Sequence, residues 1–121
     1  MNRLHLIVML LLVGACAPVG LTRALVTETS DFLVEAQPVE GKQRPTVEGY
    51  IHNKRPMLAT RLRLRVESLD ASGAVVATVV QPVDQSIQYG DRLYFQVPAA
   101  SAAPAYRVSV DYVFWRVGGV L

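Results

Sequence analysis

Positions 60 to 69 alternate without a break. Leu62, Leu64 and Val66 fall on one side, Arg61, Arg63, Arg65 and Glu67 on the other. Period two with full charge contrast marks a strand with one face in a core and one in water. A helix would spread those arginines around its circumference. Positions 46–53 read the same way, with Val47, Gly49 and Ile51 on one face and Glu48, Tyr50 and His52 on the other. A short loop with Lys54, Arg55 and Pro56 joins the two strands. Asp70-Ala71-Ser72-Gly73 then makes a tight reversal, Gly73 being free to take positive φ. Residues 74–80 return as a hairpin partner. Their continuous apolar character predicts burial on both sides, or cover by a loop.

The flanks follow more weakly. Residues 31–36 alternate enough for a first strand, and the Pro- and Gly-bearing stretch 37–45 reads as a loop. Residues 81–89 hold Pro82 and no clear period. Residues 92–97 put Leu93, Phe95 and Val97 inward. The small residues 98–104 suit a crossover between sheets. Residues 106–114 place Tyr106, Val108, Val110, Tyr112 and Phe114 inside and Arg107, Ser109 and Asp111 outside. That phase leaves Val113 and Trp115 facing out, unless it slips at the strand end and the ring is covered. The pattern predicts six strands, a seventh if residues 23–26 add an edge, and no helix of normal length. The class is all-β, and an antiparallel two-sheet β-sandwich is the default architecture.

The N-terminus breaks the pattern. One arginine, Arg3, precedes the apolar run 6–13, and small residues stand directly before Cys16. That order is a secretory signal peptide with a small-residue cleavage site. The run is shorter than the ~20 residues of a membrane-spanning helix, and Pro18 and Gly20 end it. The stretch Leu12-Val13-Gly14-Ala15-Cys16 resembles a bacterial lipobox. The resemblance implies cleavage after residue 15 and lipidation of Cys16, with a diacylglycerol on the thiol and a further acyl chain, such as palmitate, on the new amine. Three chains exceed the two needed for stable attachment. Ala17, where an Asp would favour inner-membrane retention in enterobacterial lipoproteins, implies the outer membrane, facing the periplasm. The expected organisation is a signal peptide over 1–15, a lipidated N-terminus and tether over 16–30, and a β-sandwich over 31–121. If order begins near residue 23, the six-residue tether 17–22 spans at most about 20 Å.

Composition adds limits. Cys16 is the only cysteine, so no disulfide forms within the chain and the body relies on packing. Removing residues 1–15 takes one of the twelve Lys and Arg, leaving eleven against ten Asp and Glu. That balance gives no reason to expect nucleic acid as a partner.

The body resembles the FxLYD-type immunoglobulin-like domain of secreted and lipid-anchored bacterial proteins. The matching stretches are Gly49-Tyr50-Ile51-His52-Asn53, the alternating strand 62–69 running into Asp70 and Gly73, and Gly90 to Phe95. The resemblance implies an immunoglobulin-like sandwich and brings no catalytic residues with it.

Candidate chemistry is sparse. His52 is the only histidine after the signal, and Glu48 alone completes no metal set. Ser68, His52 and Asp70 carry the letters of a hydrolase triad without a nucleophile elbow. Asn53 reads as a side chain closing the turn at its strand end. Arg61, Arg63 and Arg65 form a stripe of roughly 13 Å, either a solvated face or a contact for phosphates and acidic groups. Trp115 is a candidate contact anchor. The expectation is a non-enzymatic, cofactor-free accessory module, tied to the membrane by its lipid and binding another envelope protein through a sheet face or strand edge. The alternative is binding of an anionic envelope polymer or lipid through the arginine stripe.

Overall fold

The computed structural model describes residues 23–117. Eight strands run in chain order: β1 (Arg23–Leu25), β2 (Thr27–Glu28), β3 (Phe32–Pro38), β4 (Thr46–Asn53), β5 (Leu58–Leu69), β6 (Val75–Val83), β7 (Arg92–Pro98) and β8 (Ala105–Arg116). They form two four-stranded sheets, ordered β1-β8-β5-β6 and β2-β3-β4-β7. The chain is an all-β sandwich, as the alternation predicts. Pairing is antiparallel except that β1 runs parallel to β8, Arg23 opposite Ala105 and Leu25 opposite Arg107. The sheets therefore take in residues ahead of position 31. A single residue, Val26, separates β1 in one sheet from β2 in the other.

The core lies between the sheets. Val34, Val47, Ile51, Phe95 and Val97 meet Ala59, Leu62, Leu64, Val66 and Val108, and Ile87 fills in from a loop. The arginines of β5 stand outside this core, as their alternation requires. The reversal after β5 is closed by Asp70, whose carboxylate accepts from the Ser72 and Ala74 amides at 2.9 and 3.0 Å and from the Ser72 hydroxyl at 2.6 Å. Those bonds, that of the Ser72 hydroxyl foremost, hold the Asp70 carboxyl below its ordinary pKa. Gly73, at φ 90°, supplies the positive φ that the turn needs.

Two expectations are corrected. β6 is not doubly covered: it pairs with β5 alone, and Val75, Val76 and Val80 are exposed. Its valines suit an extended backbone and mark strand propensity here, not burial. The phase of β8 also reverses part-way. Val110 opposes Leu64 while Tyr112 opposes Arg63, so Asp111 is an extra residue on β8. A matching irregularity between Thr60 and Arg63 on β5 restores the register, and Ala59 opposes Trp115. Such a bulge turns the following side chains to the other face. Tyr112 and Phe114 are therefore exposed, while Val113 and Trp115 pack against the core. The Trp115 ring is stacked on Phe32 at 5.3 Å between centroids, with the Arg55 guanidinium over it at 4.9 Å.

Candidate functional site

β8 is twelve residues long, and β5 lines one side of it along most of that length. On the other side β1 pairs only with Ala105, Tyr106 and Arg107. Among the described residues no strand pairs with Val108 to Arg116 on that side. The turn from β2 into β3 runs alongside instead, held by the Thr29 hydroxyl oxygen, which accepts from the Phe32 amide at 3.1 Å. Between this turn and β8 lies a groove of about 420 Å³, lined by Thr27, Phe32, Val34, Val110, Asp111 and Val113. The Thr27 hydroxyl oxygen is buried there without a hydrogen-bond partner, a cost that most buried hydroxyls avoid. β6 and β7 are edges too, but Pro82 lies within β6 and Pro98 ends β7, and proline blunts an edge against pairing.

The outer face of β5 and β8 is built in rungs. Glu67 accepts from Arg107 Nε at 2.6 Å. Asp111 accepts from Arg65 at 3.2 Å (Nε) and 2.5 Å (Nη2). Next, the Arg63 guanidinium lies 4.4 Å from the Tyr112 ring centre and that of Arg61 lies 5.4 Å from Phe114. The stripe is thus divided. Hydrogen bonds to Asp111 and Glu67, ahead of the Coulomb attraction, push Arg65 and Arg107 above the ordinary arginine pKa. Arg61 and Arg63 instead lie on rings, and no carboxylate lies within 4 Å of either among the described residues.

The other sheet carries a polar face. Tyr94 donates to Glu48 at 2.5 Å, and its ring meets Tyr50 edge-on at 5.8 Å. His52 Nε2 lies 2.9 Å from Glu35. Ser68 is buried in the opposite sheet and donates to the Ser101 carbonyl at 3.0 Å. His52, Ser68 and Asp70 are therefore not brought together. No cluster of three or more His, Cys, Asp or Glu among the described residues is placed to hold a metal.

Searches against protein-family models, curated proteins and solved structures find no match for this chain. The site must be read from its own geometry. Cys16 lies outside the described residues. Of the other residues singled out in the sequence, Arg61 and Arg63 stand together, Arg65 is neutralised by Asp111, and Trp115 is half-buried beside the groove. Sequence reasoning missed Thr27, Tyr112, Phe114 and Arg116. The alternation over residues 106–114 points both rings inward, and no compositional signal marks a bulge.

Asn53 does more than close its turn. It is 2% exposed, and its carbonyl oxygen accepts from the Arg55 amide at 2.9 Å. Its amide group donates to the Met57 carbonyl at 2.8 Å and to that of Ile87 at 2.9 Å. It thereby positions the loop that carries Arg55 over Trp115.

Proposed function

We propose that this chain is a lipid-anchored accessory module of a bacterial cell envelope, held at the outer membrane by acylated Cys16, that takes up an extended segment of a partner protein along β8. The reading rests on the unpaired stretch of β8 and the groove beside it. A strand added there would complete the ladder with main-chain hydrogen bonds. Its side chains would meet Phe32, Val34 and Val113 on one face.

The finer fold we infer is immunoglobulin-like. Strands β3, β4 and β7 correspond to A, B and E of that fold, and β5 and β8 to C and F, with crossings between the sheets after β4, after β6 and after β7. Tyr106 supports the match. It stands near the start of β8, its hydroxyl accepting from the Ala103 amide at 3.1 Å and donating to the Ser101 carbonyl at 3.3 Å. That is the arrangement of a tyrosine corner on strand F. In this correspondence the open edge of β8 is the place of strand G, of which β1 supplies only three residues. Among the described residues no strand fills the rest of that place, which leaves it open to an extended segment from outside.

The test is a photo-crosslinking residue placed at Ser109 in growing cells, compared with one at Arg44, in the loop between β3 and β4 and outside the groove. A discrete adduct at Ser109, absent at Arg44 and lost when Cys16→Ala releases the protein from the membrane, is expected. Equal labelling at both positions contradicts the reading. Fatty-acid labelling checks the anchor separately: label that survives Cys16→Ala rules it out.

A further inference from the structure

We propose that the far end of the β5–β8 face is a second binding site, for a linear acidic polysaccharide. There the outer face dips into a hollow of about 760 Å³ whose lining includes Arg61, Arg63, Asp84, Tyr112, Phe114 and Arg116. Among the described residues, three arginines meet one carboxylate there. In a chain whose processed form carries almost no net charge, that is a local concentration of cations. By contrast, the rungs at the other end of the face are closed by Asp111 and Glu67.

The stacking decides what these arginines can do. A guanidinium lying on a ring spends its flat face and keeps its N–H donors at the rim, where they match a carboxylate or phosphate two at a time. Ring contact also restrains a side chain that would otherwise lose more rotamer freedom on binding. Arg61 and Arg63 are two residues apart on one face, so successive charges along a chain can be met in turn.

Arg61 holds its place through a strained backbone, its φ of 52° lying in the left-handed region. A non-glycine residue held there is costly and collects at working surfaces. The apolar components argue for sugar. Tyr112 and Phe114 remain 41% and 45% exposed beside the cations, offering edges for the apolar faces of sugar rings. A bare oxyanion needs no such surface. The concave shape, bounded by the segment after β6, suits a chain laid along it better than a flat bilayer surface.

The site is distinct from the groove used in the proposed function. The groove is on the core side and edge of β8, and this hollow is on its outer face; Tyr112 alone borders both. The arginine changes below leave the groove untouched, so either can fail without the other.

The experiment titrates the full chain, purified in neutral detergent, with defined-length oligogalacturonate. Uncharged oligomaltose and phosphatidylglycerol-containing vesicles serve for comparison. Binding of oligogalacturonate that weakens with added salt is expected, with none to oligomaltose. The double change Arg61→Gln and Arg63→Gln should weaken it roughly tenfold or more, whereas Arg44→Gln, which removes a charge elsewhere, should leave it within about twofold. Phe114→Ala should weaken it while the protein still melts in one cooperative transition, at a somewhat lower temperature. Equal losses from the Arg61/Arg63 and Arg44 changes would show net charge alone and overturn the site. So would vesicle binding without oligogalacturonate binding, or binding of neither.

Discussion

The side-chain amide of Asn53 lies 2.9 Å from the carbonyl oxygen of Ile87, joining the end of β4 in one sheet to a loop that runs over β5 in the other. Ile87 is itself clamped to β5, exchanging both main-chain hydrogen bonds with Ala59 at 3.0 Å. One buried polar side chain therefore closes the end of the sandwich. Replacing Asn53 with Leu takes the side-chain partner from the Met57 carbonyl and the Arg55 amide and leaves the buried Ile87 carbonyl with its Ala59 bond alone. The expected loss is about 2–4 kcal/mol, read by denaturant unfolding. Asn53→Asp should cost a similar amount, because the carboxylate donates nothing to Met57 or Ile87.

Gly49 owes its identity to β3. A Cβ placed on it would sit 1.7 Å from the Glu35 carbonyl oxygen and 2.8 Å from the Ala36 Cα, both main-chain atoms that cannot swing aside. Gly49→Ala should therefore cost about 3 kcal/mol or prevent folding. Gly41→Ala, at a loop position where a Cβ meets nothing but φ is 79°, should cost about 1 kcal/mol. Paired thermal melts test the difference.

At Arg61 the usual strand preference should invert. Glycine ordinarily weakens a strand, yet the φ of 52° favours it here. Arg61→Gly should be more stable than Arg61→Ala by about 1 kcal/mol, since both lose the contact with Phe114 and only glycine relieves the backbone. If alanine is the more stable of the two, the bulge is not strained in solution.

The Tyr94–Glu48 pair predicts a pH dependence at both ends. The hydrogen bond from Tyr94 is the main cause holding the Glu48 carboxyl below its ordinary pKa, and the same bond raises that of Tyr94. A carboxylate with a depressed folded pKa contributes stability above its unfolded pKa and loses it as pH falls through the folded one. A phenol with a raised folded pKa contributes below its unfolded pKa and loses it as pH climbs through the folded one. The difference in Tm between the protein and Tyr94→Phe should be widest from about pH 5 to 9, and shrink below about pH 4 and above about pH 10. A constant difference across that range would mean that the pair does not form.

The sequence made the sandwich legible where charge and apolar residues alternate, as in Arg61 to Val66 and Leu93 to Val97. It failed where that contrast is missing or interrupted. The valines of β6 carry no charges to mark a wet face, so an edge strand looks like a buried one. In β8 the extra residue at Asp111 leaves no trace in composition, and every side chain beyond it lands on the opposite face. That one insertion moved Trp115 inward and Tyr112 and Phe114 outward, and with them the candidate basic surface. β1 and β2 are too short to show a period. Asn53 was readable as a turn residue because Arg55 is two positions away. Its bond to Ile87, 34 residues on, has no local signal.

Residue-resolved amide hydrogen exchange along β8 of the isolated protein tests the open edge most directly. In a strand paired on one side only, alternate amides point into a ladder and the rest into solvent or an empty groove. Between Val108 and Arg116 the amides directed away from β5 should exchange as fast as those of exposed loops, while their neighbours and those of β5 stay protected. Uniform slow exchange along the whole of that stretch, in the protein alone, would mean that the edge is already occupied, and would contradict its use as a strand acceptor.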